Sequence, residues 1–378
     1  MKKDMKPAVL DFGPVRFLIP RHFGFCYGVQ NAIDIAYKTV FENKGKRIFL
    51  LSEMIHNPTV NEDLLSKGVR FLFDTAGAEL IPLDSLTSDD IVIVPAFGTT
   101  LEMQARLKAR GIDPYQYDTT CPFVVKVWRR GEQLGKKGHA LVIHGKYQHE
   151  ETRATFSHSA KSGPVVVVYN VDEARILAEF MLGKRPYSEF EAVFGHKATP
   201  GFDPVHDLAK FGVINQTTML ATETSEVMDV LKEAATTLGY SFADTSDTLC
   251  YATNENQAAT YGLLDEHADL AIVVGGYNSS NTMHIVELLE RKFPTYHIRD
   301  AAEFPSPNHI RHFNQWDKQM HDTHNWLPTT SPNPITIALT SGASCPDALV
   351  DAVILKIAGF FDRSASVDEA MAPYSATM

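Results

Sequence analysis

The chain has 378 residues, of which 44% are apolar and 21% charged, so it is globular in composition and long enough for more than one domain. Its 46 Asp and Glu against 35 Lys and Arg leave a formal charge of −11, a sign that disfavours nucleic acid or an anionic membrane surface as the main partner. No apolar run reaches the roughly 18 residues of a bilayer span, and the opening MKKDMKPAVLDFGP lacks the apolar core of a signal peptide, so a cytoplasmic location is the expectation.

Four cysteines occur, Cys26, Cys121, Cys250 and Cys345, with no CxxC pair among them. A disulfide framework is therefore not expected, and each cysteine taken singly reads as a small buried hydrophobe. Three of them, however, open the same pattern. After Cys26 the residues Val29, Ile33, Ala36 and Val40 share a helix face; after Cys121 it is Val124, Val127 and Trp128; after Cys250 it is Ala258, Tyr261 and Leu264. A short apolar run follows each helix: RIFLLSE (47–53), HALVIHG (139–145) and LAIVVGG (270–276). Such runs alternating with helices predict buried parallel strands.

Each of these strands enters a polar loop (MIHNPTV, KYQHEET, YNSSNTM), then a further strand (VRFLF, PVVVVY, YHIRD). A third strand ends in small and hydroxyl residues: DIVIVPAFGTT (90–100), KFGVINQTTM (210–219) and PITIALTSGAS (334–344). The expected architecture is α/β, with three pseudo-repeated units of mainly parallel sheet whose cysteines would converge if the units pack around a pseudo-threefold axis. The units are placed at 28–120, at 121–245 with an insertion at about 178–209, and at 1–27 joined to 246–360. The segment 303–333, with His309, His312, His321 and His324, reads as a solvated loop, because no suitably spaced Cys or acidic ligand accompanies the histidines. The tail 361–378 reads as flexible and without structure.

In parallel α/β sheets ligands collect beyond the carboxyl ends of the strands, where every repeat places its cysteine and its polar loops. Cysteines at helix N-termini have lowered pKa values, which favours the thiolate and metal binding. Three thiolates suit a zinc site with an open fourth position, or a [4Fe–4S] cluster with one iron not bound by protein. Lone cysteines on separate units favour the bulkier cluster. Beside them, Glu151 lies two residues past His149, with Gln216 and Thr217 in the second loop of the same unit, a pattern suited to a proton relay. His56, Ser279, Ser280, Asn281 and Ser344 add neutral donors which, with helix N-termini, could hold a diphosphate without lysine.

The motifs FGFCYGVQNAI, MIHNP, DTTCPFVVKV, HGKYQHEET, NQTTM, LCYATNENQ, VVGGYNSSNT and SGASCPD, in this order, resemble those of the 4-hydroxy-3-methylbut-2-enyl diphosphate reductase family over about residues 14–360. The resemblance implies a trefoil around a central iron–sulfur site and the last step of the methylerythritol phosphate route to isoprenoids. In that step a two-electron reductive dehydroxylation gives isopentenyl and dimethylallyl diphosphate. It implies Cys26, Cys121 and Cys250 as ligands of one [4Fe–4S] cluster, and His56, His149, Ser279, Ser280, Asn281 and Ser344 as diphosphate contacts. Glu151 is implied as proton donor with Thr217 as its hydroxyl partner, and ferredoxin or flavodoxin as electron donor. Cys345 matches no family role. Many bacterial members carry histidine where this chain has Phe97 and proline where it has Glu150; PAFG and the insertion before NQTTM resemble the branch shared by plants and cyanobacteria. Three other readings fit a cysteine repeat: a cluster dehydratase needing no reductant, an iron–sulfur sensor making no product, and a colourless Cys₃ zinc protein.

Overall fold

The computed structural model describes residues 5–243, 245, 248–328, 334–362 and 364–375. In chain order its elements begin with β1 (Ala8–Asp11), β2 (Val15–Ile19), α1 (Tyr27–Glu42), β3 (Ile48–Leu50), α2 (Pro58–Ser66), β4 (Arg70–Phe71), β5 (Ile91–Ile93) and α3 (Leu101–Ala109). They continue with α4 (Pro122–Lys136), β6 (Ala140–His144), α5 (Glu150–Ala160), β7 (Val165–Val168), α6 (Val171–Met181), α7 (Phe190–Phe194), β8 (Lys210–Asn215), α8 (Ala221–Leu238) and β9 (Ser241–Ala243). The remainder holds α9 (Tyr251–Leu264), β10 (Leu270–Val274), α10 (Ser280–Glu290), β11 (Thr295–Ile298), β12 (His309–Asn314), β13 (Gln319–His324), β14 (Ile335–Ser341), α11 (Asp347–Ala358) and α12 (Val367–Ser375).

The chain divides into two compact units, one of Met1–Cys26, His56–Pro58 and Tyr251–Met378, the other of Tyr27–Ile55 and Thr59–Cys250. The first unit carries a seven-stranded sheet in the order β1-β2-β14-β10-β11-β12-β13. The second carries two sheets, β4-β3-β5 and β7-β6-β8-β9, parallel throughout. One parallel triplet recurs in all three sheets: β3, β6 or β10 in the middle, flanked by the strand that follows it and by the third strand of its repeat. The parallel core of the predicted α/β class is therefore present three times over, while β1, β12 and β13 join the seven-stranded sheet antiparallel.

Each central strand is apolar because both its faces are covered. Along β10, Leu270, Ile272 and Val274 face one core with Phe17, Ile337 and Val350. Ala271 and Val273 face another core with Leu263, Ile285 and Leu289. Along β6, Val142 packs toward Leu177 and Leu231, while Leu141 and Ile143 pack toward Val127 and Leu134 of α4. Truncating one of these, such as Ile272→Ala, removes about 2–5 kcal/mol of stability.

Two expectations are corrected. The histidine-rich segment is not a solvated loop: β12 and β13 form an antiparallel hairpin that extends the sheet beyond β11. Its histidines are cross-strand partners. His309 stacks on His324 with ring centroids 4.4 Å apart, and His312 meets Thr323 at 2.9 Å and the Tyr296 ring at 5.0 Å. Cross-strand ring pairs stabilise a strand that composition alone marks as polar. Residues 329–333 of that segment lie outside those described. The tail is not structureless either. Helix α12 buries Ala370, and the Tyr374 hydroxyl accepts from the Val9 N–H at 2.7 Å and donates to the Val9 carbonyl at 3.1 Å. Residues 363 and 376–378 lie outside those described. The insertion packs its own aromatic knot, in which Phe190 contacts Phe180, Phe194 and Phe202.

Candidate functional site

The three repeated cysteines occupy equivalent places. Each directly precedes a helix, Cys26 before α1, Cys121 before α4 and Cys250 before α9. Each also sends its backbone N–H to the loop that ends a third strand. Cys26 bonds the Ala343 carbonyl at 3.3 Å, Cys121 the Ala96 carbonyl at 2.9 Å and Cys250 the Thr217 carbonyl at 3.4 Å. The cysteine backbones are thereby tied to the strand ends, which residue identity does not announce. At Cys121 the cysteine is the N-cap of α4 and its side chain makes no capping bond, while Pro122 fills the first helical position, where a missing N–H costs nothing. None of the four cysteines is in a disulfide. Cys345 differs from the others: it is fully buried in an apolar core, and burial pushes its thiol up to about 12.

In the second unit, α5 begins with His149 as N-cap, whose Nδ1 accepts the Glu151 N–H at 3.2 Å. With Nδ1 used as acceptor, the neutral ring carries its hydrogen on Nε2 and presents a donor. Glu151 is 2% exposed. One carboxyl oxygen accepts the Thr217 N–H at 2.6 Å and the other the Thr217 hydroxyl at 3.0 Å. Burying a carboxyl is tolerable only with such partners. Gln216 braces this arrangement: its amide oxygen accepts from the Lys146 N–H at 3.1 Å and the Thr152 hydroxyl at 3.0 Å, and its amide nitrogen donates to the Thr218 hydroxyl at 2.8 Å. The sequence pattern pointed to Glu151, Gln216 and Thr217; it missed Thr152, whose role depends on a fold contact 64 positions away.

The loop bearing Phe97 is clamped in the same unit. Phe97 meets His149 edge-to-face, with centroids 5.6 Å apart. Gly98 has φ +76° and lies against the Trp128 ring, so a side chain there would be both strained and obstructed. Trp128 donates its Nε1–H to the Thr155 hydroxyl at 3.1 Å and stacks on His158 at 3.8 Å; the His158 ring donates to the Thr99 carbonyl at 3.2 Å. Burial holds His158 below the ordinary histidine value, in keeping with a neutral donor ring. A cleft of about 230 Å³ borders this loop, but neither Glu151 nor Thr217 lines it. Its walls mix Arg106 and Arg153 with Asp74, Glu102 and Glu150, which suits no single charge.

In the first unit the neutral donors do meet. Ser279 caps α10 and accepts the Thr282 N–H at 3.3 Å. The Ser344 hydroxyl lies 3.4 Å from both the Ser279 hydroxyl and the His56 carbonyl. Gly276 runs against the His56 carbonyl, so close that a Cβ would collide with it. Asn281 accepts the Ala343 N–H at 2.8 Å through Oδ1, while its buried Nδ2 has no hydrogen-bond partner among the described residues. His56, Ser279, Ser280 and Asn281 are all buried. The structure therefore brings Ser279, Asn281, Ser344 and the main-chain carbonyl of His56 into one cluster, with Ser280 on the first turn of α10, and joins His149, Glu151 and Thr217 in another. Among the described residues no three His, Cys, Asp or Glu side chains are grouped to hold a single metal ion, and no helix is long and apolar enough to cross a membrane.

These features define an α/β protein with a repeated parallel core, a cysteine at each repeated helix start, and buried polar clusters at strand ends. The chain belongs to the LytB protein family, whose description matches residues 17–358. Proteins named 4-hydroxy-3-methylbut-2-enyl diphosphate reductase are among its relatives. The one from Microcystis aeruginosa is 40% identical over 358 residues, covering 93% of this chain and 86% of that protein. The one from Gloeobacter violaceus is 39% identical, covering 91% and 83%. Among solved structures, the E-1-hydroxy-2-methyl-but-2-enyl-4-diphosphate reductase from Plasmodium falciparum shares the fold with a TM-score of 0.64 at 21% identity, over 89% of this chain and 85% of that one. A structure of (E)-4-hydroxy-3-methyl-but-2-enyl diphosphate reductase, titled the terminal enzyme of the non-mevalonate pathway, gives 0.53 at 22% identity, over 89% and 96%.

Proposed function

We propose that the chain is an oxidoreductase that converts 4-hydroxy-3-methylbut-2-enyl diphosphate to isopentenyl and dimethylallyl diphosphate, in the cytoplasm, with a ferredoxin or flavodoxin as electron source. The reaction breaks the allylic C–O bond, takes up two electrons and two protons, and releases water. One observation carries the reading: Thr217 gives its N–H and its hydroxyl to the buried Glu151 carboxyl, while its carbonyl receives the Cys250 N–H. A proton-carrying group and a cysteine thus hang on one residue.

Cys26, Cys121 and Cys250 would hold a [4Fe–4S] cluster. What supports this is their equivalent placement: each directly precedes a helix, each has its backbone tied to a strand-end loop, and none is in a disulfide. When bound, such a cluster supplies one-electron transfer and Lewis acidity. The chain's own residues do the rest. His149 presents Nε2–H, and His56, Ser279, Ser280, Asn281 and Ser344 present neutral donors to the diphosphate. Glu151 holds a proton on its carboxyl and passes it through the Thr217 hydroxyl, which both donates and accepts. Burial of Glu151 keeps bulk water from short-circuiting that transfer.

Anaerobic reconstitution followed by iron and acid-labile sulfide analysis tests the ligand set. Wild type and Cys345→Ser are expected to retain sulfide, and Cys26→Ser, Cys121→Ser and Cys250→Ser to lose most of it. Sulfide absent from the wild type, or lost equally from Cys345→Ser, overturns the assignment.

A further inference from the structure

Helix α4 places its polar residues unequally. Val124, Val127, Gly131, Leu134 and Gly135 are buried, at the three- and four-residue spacing of one helix face. The opposite stripe, Pro122, Lys126, Arg129, Gln133 and Lys136, is exposed. Between 126 and 137 there are five basic residues, Lys126, Arg129, Arg130, Lys136 and Lys137, against the single acid Glu132. This concentration stands out in a chain of net charge −11.

Neighbouring elements reinforce the sign. The Lys210 ammonium donates to the Lys137 carbonyl at 2.6 Å, which brings a further cation to the end of the helix. His139 is lowered first by burial and then by the charges of Lys210, Lys137 and Arg130. Glu132, which pairs with Lys136 at 2.6 Å, also feels Lys161 from the end of α5. The stripe starts at the helix end capped by Cys121, and Arg129 lies about 12 Å along the axis from that cysteine at the normal helical rise.

We propose that the exposed face of α4, centred on Lys126, Arg129 and Lys136, is the docking surface for an acidic one-electron carrier protein. The inference rests on the reductase reading, since that reaction consumes two electrons and each carrier delivers one. Two carriers are oxidised per substrate reduced, and the protons come from the enzyme and solvent. Charge complementarity selects the occupant. A globally acidic chain repels an acidic carrier everywhere except where basic residues concentrate, so a local patch sets both orientation and on-rate. The patch lies on the helix that begins at Cys121, with Lys126 about 8 Å and Lys136 about 22 Å along the axis from that cysteine.

The test is Lys126→Glu/Arg129→Glu/Lys136→Glu, with the neutral Gln triple variant beside it. Binding of an oxidised acidic [2Fe–2S] ferredoxin is measured by calorimetry, and turnover is measured with the same ferredoxin photoreduced or with dithionite and methyl viologen. The charge reversal is expected to raise the ferredoxin Kd at least tenfold, to lower ferredoxin-driven kcat/KM similarly and to flatten its dependence on salt. The neutral triple should fall between, and viologen-driven turnover should stay within twofold of wild type. Unchanged ferredoxin binding in the reversed variant overturns the proposal. So does an equal loss with both reductants, which would mean that the residues act on the enzyme itself. Wild type that turns over with neither reductant removes the reductase reading, a result separate from any change in binding.

Discussion

Helices α5 and α10 start at the same place in their repeats and share one backbone bond at their second residue, yet they carry opposite chemistry there. At α5, His149 caps the helix and the next residues are Glu150, Glu151 and Thr152; at α10, Ser279 caps it and Ser280, Asn281 and Thr282 follow. The second residue of each helix reaches the same backbone donor: Glu151 takes the Thr217 N–H, and Asn281 takes the Ala343 N–H. The carbonyls of Thr217 and Ala343 in turn receive Cys250 and Cys26. The bracket is constant and the side chain in it sets the task. A carboxyl can carry a proton but repels phosphate. An amide in the same bracket uses its oxygen on the backbone and offers N–H groups to an anion without adding charge.

The comparison can be broken from either side. Glu151→Gln keeps an oxygen for the Thr217 N–H but carries no proton, so kcat is expected to fall about 10²–10⁴-fold with cluster content and thermal midpoint preserved. Near-normal turnover in an anaerobic assay would remove Glu151 from the proton path. Asn281→Asp makes the opposite swap. It preserves the Ala343 bond and puts negative charge among the donors, so KM should rise on the order of tenfold or more while kcat changes less. A normal KM would show that α10 does not meet the diphosphate. Thr217→Val keeps the backbone bond and deletes the hydroxyl, which should cost roughly tenfold or more in kcat, the worth of one hydrogen bond to a charged group.

A smaller contrast separates the strands behind the two helices. At matching positions β7 has Val167 and β11 has His297, whose ring donates to the Gly275 carbonyl at 3.1 Å just ahead of α10. Burial lowers His297 to about 4, against an ordinary value of 6.5. Between those two values the unfolded chain binds the proton and the folded one does not. Stability therefore falls as pH drops through that window, by on the order of 3 kcal/mol in total, and is fully retained above it. Urea unfolding at pH 7 and pH 4.5 should show a shallower acid loss in His297→Gln, and an identical loss would contradict the assignment.

Much of this was legible from residue order. The runs around Phe49, Val142 and Ile272 predict parallel strands because both faces are buried, which leaves no polar alternation to confuse the pattern. The motif spacing likewise led to Glu151 with Thr217, and to Asn281 with Ser279. What escaped depends on distant partners. The hairpin of β12 and β13 looked polar because its order comes from histidine rings meeting across strands, and α12 is held at Val9, 365 positions from Tyr374. The ties from Cys26, Cys121 and Cys250 to Ala343, Ala96 and Thr217 use main-chain atoms, and the edge-to-face contact of Phe97 with His149 joins two loops far apart in the chain.

The most direct measurement is anaerobic turnover of 4-hydroxy-3-methylbut-2-enyl diphosphate by the reconstituted protein, with and without dithionite and methyl viologen. Products are identified by mass and chromatography, and Glu151→Gln is run in parallel. The account predicts isopentenyl and dimethylallyl diphosphate only when reductant is present, and almost none from the variant. Substrate consumed equally without reductant, or no product from a wild type carrying its cluster, would contradict it.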